Sequence, residues 1–398
     1  MYKKISLALT AVLLCMACLF AACESHTETT ATESTSPMPT AETAPIVTEP
    51  EPEFSETPQI GTTKIAVDGT FLRDSFLYND TVYVSLTSLS DAFPVNCDTQ
   101  IKIDADHTCT VNLQGRTLEL CANAHSFSED QAVTDLESEV IYDGTTWYLP
   151  ANSLMTYLNF SALEDPDADA VYFTRFPRNT AIAEGKKVPV LMYHAVSDNC
   201  WGSSELFVSP STLDAQIALL LENGYTLITF EDFDHLDEIE KPIMLTFDDG
   251  YDDNYTELFP ILQKYRVKAT VFMITNDIGK NHKLTAEQIT EMSNSGLVSI
   301  QSHTMSHEFL SNMNEEQLHT ELSQSKLVLA RLTGKEPFVL CYPTGKYSDL
   351  SLKVTKEYYE FGLLMSSGLY TTGGDPYLIR RYYVPRGLSA SSLLYQLP

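Results

Sequence analysis

The C-terminal half of this 398-residue chain predicts an α/β fold of parallel strands, built in the manner of a (β/α) barrel, with a small α+β repeat domain before it. Three observations carry that expectation. From Val188 onward, short apolar runs alternate with helical patterns, the order that gives parallel strands and crossover helices. The polar residues of chemical interest fall just after the apolar runs, where the mouth of such a barrel lies. Residues 60–175 hold one unit twice, each copy with a turn signal, a β-rich run and a short helical stretch.

The elements follow in order. Lys3 and Lys4 precede an apolar stretch from Ile5 to Phe20, which Ala21-Ala22-Cys23 closes with small residues, the pattern of an export signal over residues 1–23. Leu19-Phe20-Ala21-Ala22-Cys23 resembles a bacterial lipobox, which implies Cys23 as the lipidated residue and a protein held at the outer face of the membrane, the alternative being a secreted one. No other run approaches the roughly 20 apolar residues that span a bilayer. Residues 24–59 are rich in Thr, Ser, Pro and Glu and contain no Lys or Arg, so they are expected to stay an extended tether.

In the repeat, Tyr78-Asn79-Asp80-Thr81-Val82-Tyr83-Val84-Ser85-Leu86 recurs as Tyr142-Asp143-Gly144-Thr145-Thr146-Trp147-Tyr148-Leu149-Pro150. The pattern resembles the copper amine oxidase N-terminal-like domain, which implies a stalk module. It does not imply copper, because His107 and His125 lie far apart in sequence. A polar connector begins at Arg175, and the second domain is expected over 186–398. Its strands are expected at 188–194, 226–229, 242–247, 268–274, 298–301, 338–342 and 361–365, and its helices at 210–223, 253–265, 285–295, 314–333 and 349–357.

Composition excludes some roles. The formal charge of −29 disfavours nucleic acid, whose phosphates require Lys and Arg, so a neutral substrate fits best. Of eight cysteines, those beyond Cys23 are Cys97, Cys109, Cys121, Cys200 and Cys341. An odd count in an exported chain leaves at least one unpaired, unless a bridge forms between molecules. The spacing of the first three does not say which pair would bond.

The chemistry concentrates in two places. Asp248 and Asp249 end the apolar run Pro242-Ile243-Met244-Leu245-Thr246-Phe247. His303 and His307 follow at i and i+4 and share a face if Ser302–His307 opens a helix. One carboxylate and two imidazoles suit a catalytic metal with open positions, and the second carboxylate remains free as a base. Zinc fits best, with cobalt, nickel or iron as alternatives. A cation there would lower the pKa of water toward about 7.

Thr246-Phe247-Asp248-Asp249-Gly250 and Ser302-His303-Thr304-Met305-Ser306-His307 resemble the first two motifs of the polysaccharide deacetylases, the NodB-homology family or carbohydrate esterase family 4. The resemblance covers residues 186–398. It implies a distorted (β/α) barrel of fewer than eight strands, with Asp248 as general base and Asp249, His303 and His307 as metal ligands. The third motif departs from the family: Cys341-Tyr342-Pro343-Thr344-Gly345 places a cysteine where an arginine usually orients the base. The resemblance implies the Thr344 backbone N–H as an oxyanion donor and Tyr342 as a groove residue. The family's late Leu-x-His motif is absent. Leu191-Met192-Tyr193-His194 resembles the branch of biofilm poly-N-acetylglucosamine deacetylases, which implies His194 as the general acid.

Tyr251, Trp201, Tyr342 and Tyr347 are candidates to stack on sugar rings, and Arg381 and Arg386 to orient acids or sugars. His235, His282 and His319 read as solvated. The expected activity is removal of N-acetyl groups from an extracellular GlcNAc polymer by a monomer. The alternatives are an O-acetyl esterase acting on xylan and an inactive wall-binding lipoprotein.

Overall fold

The computed structural model describes residues 63–93 and 108–398. The export signal, Cys23, the tether and Cys97 lie outside the described residues.

The repeat is visible as two hairpin-and-helix units. β1 (Lys64–Val67) and β2 (Thr70–Phe71) pair first. β3 (Ser75–Tyr78) and β4 (Thr81–Ser85) then form a hairpin that leads into α1 (Leu86–Ala92). Asn79 and Asp80 both adopt positive φ, 49° and 59°, as a tight two-residue hairpin turn requires. Ser85 caps α1 by accepting the Ser88 N–H at 2.9 Å. β5 (Thr108–Leu113), β6 (Arg116–Cys121), β7 (Ser126–Glu129) and β8 (Ala132–Asp135) form an antiparallel meander. The second unit is β9 (Ile141–Tyr142), β10 (Trp147–Pro150) and α2 (Ala151–Tyr157). Its turn is held by Asp143, whose Oδ1 accepts the Thr145 and Thr146 N–H groups, both at 2.8 Å. The two units join through equivalent strands, with Val84 opposite Leu149 in the antiparallel β4–β10 pair. β11 (Ser161–Asp165) and β12 (Ala170–Thr174) close the domain, β12 lying parallel to β1.

The second domain is a parallel sheet curved as a half-barrel. Its elements are β13 (Lys187–Val188), β14 (Val190–Tyr193), β15 (Ala195–Val196), β16 (Phe207–Val208), α3 (Pro210–Glu222), β17 (Thr226–Leu227), β18 (Pro242–Phe247), α4 (Phe259–Tyr265), β19 (Ala269–Met273), α5 (Ala286–Asn294), β20 (Val298–Ser302), α6 (Glu315–Thr333), β21 (Val339–Cys341), α7 (Asp349–Tyr358), β22 (Phe361–Leu363), β23 (Tyr370–Thr371), β24 (Tyr382–Tyr383) and α8 (Ala390–Gln396). The strand path is β22-β21-β20-β19-β18-β14-β24, parallel throughout, with β17 added beside the start of β18. That path has seven strands, and β17 brings the sheet to eight. β18, β19 and β20 are buried at every residue, which is why they read as unbroken apolar runs.

All seven expected strands and all five expected helices form. The helix expected over 253–265 begins as a π turn, Asn254–Leu258, before α4. Local chemistry fixes the helix ends. Ser209 caps α3 ahead of Pro210, and Thr285 with Gln288, and Asn314 with Gln317, form capping boxes on α5 and α6. Sequence did not signal β24, a two-residue strand that pairs with β14.

The repeat domain is fastened to the barrel at the end of α6. Arg331 grips Asp165 through Nε and through Nη2, the latter at 2.7 Å. Gly69 N–H donates to the Gly334 carbonyl at 3.2 Å, and a Cβ on Gly334 would sit 2.8 Å from the Gly69 Cα. Phe176 stacks on Phe338 with ring centroids 4.7 Å apart. The connector is anchored too, because Arg178 bonds Glu360 at 2.7 Å.

Candidate active site

The two adjacent acids leave β18 in opposite roles because the backbone turns left-handed between them. Asp249 has φ 71° and Gly250 φ 64°. A Cβ at Gly250 would press on the flexible end of the Met273 side chain, and the left-handed φ itself favours glycine there. Asp248 still belongs to the sheet, its N–H donating to the Tyr193 carbonyl at 3.0 Å, and its side chain is buried.

Asp248 is held by Arg381. Nη1 donates to Oδ1 at 2.8 Å and Nη2 to Oδ2 at 2.7 Å, a bidentate fork. Arg381 is itself fully buried, and it also donates to the Leu364 carbonyl at 2.9 Å and the Thr246 hydroxyl at 3.0 Å. Burial works against the charge on Asp248, but the guanidinium outweighs it and holds the carboxyl well below the usual range. Cys341 packs into this pair, its Sγ 3.1 Å from Nη2 and 3.6 Å from Asp248 Oδ2. The arginine missing from the third motif is therefore present in space, supplied from just before β24. The guanidinium that the third motif lacks thus reaches Asp248 from Arg381, one of the two arginines expected to orient acids or sugars.

Asp249, His303 and His307 come together as expected. Their ligand atoms all lie within 4.8 Å of one another. His303 Nε2 is 3.5 Å and His307 Nε2 3.7 Å from Asp249 Oδ1. His303 Nδ1 lies 2.7 Å from the Cys341 carbonyl, which can only accept, so the proton sits on Nδ1 and the Nε2 lone pair faces Asp249. Burial pushes the His303 imidazole down to about 4, which keeps it neutral and able to ligate. Asp249 is also held low: burial opposes its charge, and His303, His194 and Lys283 outweigh it. The donor set thus fits a divalent cation.

A second cluster, Asp248–His303–Cys341, meets the same distance test. Its chemistry does not suit a cation. Asp248 is already occupied by Arg381, and burial raises the Cys341 thiol far above its ordinary value.

The histidine pair does not sit on a helix. Residues 303–309 are an irregular segment after β20, with Thr304 at φ 66° and His307 at φ 62°. Neither is a glycine or an asparagine, so nothing in the sequence announces two left-handed turns.

The remaining candidates divide. His194 follows β14, is buried, and places Nε2 3.9 Å from Asp248 Oδ2. Thr344 lies in the turn after β21, also left-handed at φ 56°. Tyr251 lies beside Asp249, and burial together with that carboxylate raises its phenol. Its ring carries Lys283 Nζ at 4.2 Å and the Trp201 ring at 4.8 Å. Tyr342 is a correction: it is fully buried, packed over Gly362 in a core with Leu340 and Leu322, and does not line a groove. Arg386 spends its guanidinium on the Cys200 thiol and, at 3.5 Å, on the Asp198 carbonyl. His282 is no bystander, since it stacks on Trp201 at 4.3 Å. His319 shares a 2.8 Å hydrogen bond with the Tyr358 hydroxyl and is not simply solvated.

A parallel half-barrel with a guanidinium-held carboxylate, a buried histidine and a two-His, one-Asp cluster at its strand ends defines a hydrolase of the (β/α) barrel class. The sequence profile described as "Polysaccharide deacetylase" matches residues 235–359. A Bacillus subtilis protein named "Putative polysaccharide deacetylase YxkH" is 35% identical over 212 residues, which are 52% of this chain and 74% of that protein. This chain belongs to the polysaccharide deacetylase family. A poly-β-1,6-N-acetyl-D-glucosamine N-deacetylase of Staphylococcus aureus is 26% identical over 197 residues, 45% of this chain and 66% of that one. Among solved structures, the Streptococcus pyogenes deacetylase PplD in complex with acetate is similar at TM-score 0.51 and 28% identity, over 54% of this chain and 99% of that one.

Proposed function

We propose that the protein hydrolyses N-acetyl groups of an extracellular GlcNAc-containing polysaccharide, of the poly-GlcNAc or peptidoglycan kind, with a divalent metal. The observation that carries this is the division of labour between neighbours. Asp248 is ionised and fixed by Arg381, while Asp249 shares its Oδ1 with two imidazole Nε2 atoms. A binding module has no use for a fixed, charged carboxylate beside a ligand cluster. The family relation and the S. aureus N-deacetylase support the same reading.

Asp249, His303 and His307 would hold the cation, zinc by preference. When bound, it supplies Lewis acidity for the acetyl carbonyl and acidifies the attacking water. Asp248 takes the proton of that water as its oxygen attacks. Arg381 holds the carboxylate well below the usual range and keeps it aimed. The Thr344 backbone N–H stabilises the developing oxyanion. His194 passes a proton to the departing sugar nitrogen as the C–N bond breaks, and acetate leaves. Tyr251 and Trp201 flank the mouth and offer ring surface to neighbouring sugars. Lipidation at Cys23 would tether this monomer to the membrane's outer face.

Acetate release from GlcNAc oligomers, peptidoglycan and acetylxylan, with and without chelator, tests the reading. Release from the N-acetylated polymers that stops on chelation and returns with zinc supports it. Release from acetylxylan alone makes the protein an O-acetyl esterase. No release with zinc restored leaves a wall-binding lipoprotein.

A further inference from the structure

The loop that presents His307 has a full account of its backbone donors. His303 N–H donates to the Met273 carbonyl at 2.9 Å. Thr304 N–H donates to Ser302 Oγ at 3.1 Å, and His307 N–H to Thr304 Oγ1 at 3.1 Å. The two donors between them, Met305 and Ser306, both go to Oε2 of Glu321, at 2.8 and 3.0 Å. The Ser306 hydroxyl donates to Oε1 of the same carboxylate. Glu321 projects from α6, and the whole residue is only 5% exposed. Among the described residues no Lys or Arg forms an ion pair with it. A buried carboxylate is costly unless a charge answers it. Here its partners are two amides and one hydroxyl of a loop that ends in a metal-ligand candidate.

We propose that Glu321 is a positioning residue for the metal centre. It locks the 304–307 segment through the two left-handed residues that flank Met305 and Ser306, and so aims His307 Nε2 at Asp249. The inference rests on the metal reading given above. It adds an outer carboxylate that touches no ligand side chain and acts through the backbone.

The test is the zinc affinity of metal-free protein, measured by competition with a chromophoric chelator. Glu321→Gln keeps the shape and removes the charge, and it is expected to weaken zinc binding about 10–100-fold, the usual effect of losing an outer-shell partner. Glu315→Gln is the control: it removes an equal charge from the same helix, at an exposed site paired with Lys353, and leaves zinc affinity as in wild type. Ser306→Ala removes one of the three contacts and is expected to give a smaller loss in the same direction. Wild-type affinity in Glu321→Gln, or an equal loss in Glu315→Gln, overturns the proposal. If Glu321→Gln does not fold, unchanged affinity in Ser306→Ala does so instead. A wild-type protein that takes up no zinc overturns the metal reading beneath it, which is a distinguishable failure.

Discussion

The floor and the mouth of the site treat two neighbouring carboxylates in opposite ways. At the floor, Asp248 is sealed and both oxygens are taken by Arg381. At the mouth, Asp249 Oδ1 faces two imidazole nitrogens at 3.5 and 3.7 Å, too far for hydrogen bonds and suited to a shared ion between them. The floor is complete as protein, and the mouth presents a donor set that fits a cation. A left-handed turn at Asp249 and Gly250 is all that separates the two environments. Adjacent residues of one type can therefore serve as base and ligand without competing.

The comparison can be broken from either side. The largest effect is expected from Asp248→Asn, which should lower kcat by about 10²–10⁴-fold, the range of a general base, while zinc binding persists. Loss of zinc in that variant would merge floor and mouth into one site. His194→Ala should cost about 10²-fold or more in kcat on unactivated amides. A far smaller loss on a substrate with a good leaving group would mark it as the acid, and near-normal rates on both would place the acid elsewhere.

Arg381→Met removes the floor's cation and strands a buried charge, so stability should fall by about 3–5 kcal/mol in denaturant titrations. A loss under about 1 kcal/mol would mean that Asp248 is neutralised some other way.

Another buried acid, Asp253, sharpens the contrast. Asp253 accepts the Val196 N–H at 2.9 Å, but its Oδ2 has no partner, and burial pushes its carboxyl up to about 6. Its contribution is therefore fully present below the unfolded value near 3.8 and is lost as pH rises through about 6. Asp248, held low, behaves in reverse: its contribution is present above the ordinary carboxylate range and fades as pH falls. Asp253→Asn should gain on wild type by on the order of 2–3 kcal/mol between pH 4 and pH 7.5. A pH-independent difference between the two proteins would remove Asp253 from this account. The smallest effect is expected at the domain junction. Arg331→Ala leaves Asp165 without its fork and should cost about 1–2 kcal/mol, read as a lower unfolding midpoint.

Much of the site was legible because its parts are contiguous. Asp248 with Asp249, and His303 with His307, each sit within one short motif beside an apolar strand, so their company could be read directly. The central strands were legible for a related reason: β18, β19 and β20 are buried at every residue and show as continuous apolar runs. Arg381 was read only as an arginine that might serve an acid, since 133 positions separate it from Asp248 and the strand after it has two residues. The helix expected at Ser302–His307 failed because Thr304 and His307 take left-handed conformations that tertiary hydrogen bonds enforce. Tyr342 was misplaced because a tyrosine beside a motif looks the same in sequence whether it faces a groove or the core.

The provenance of Arg381 has a consequence for how the protein comes into being. The carboxylate at position 248 is laid down early in the barrel, and the cation that neutralises it is laid down more than a hundred residues later. An emerging chain that has made every strand up to Leu363 still lacks the means to bury Asp248 at low cost. Closing the interior and neutralising Asp248 thus become one event. A chain cut short before residue 381 is left with a carboxylate in its interior that this guanidinium does not answer.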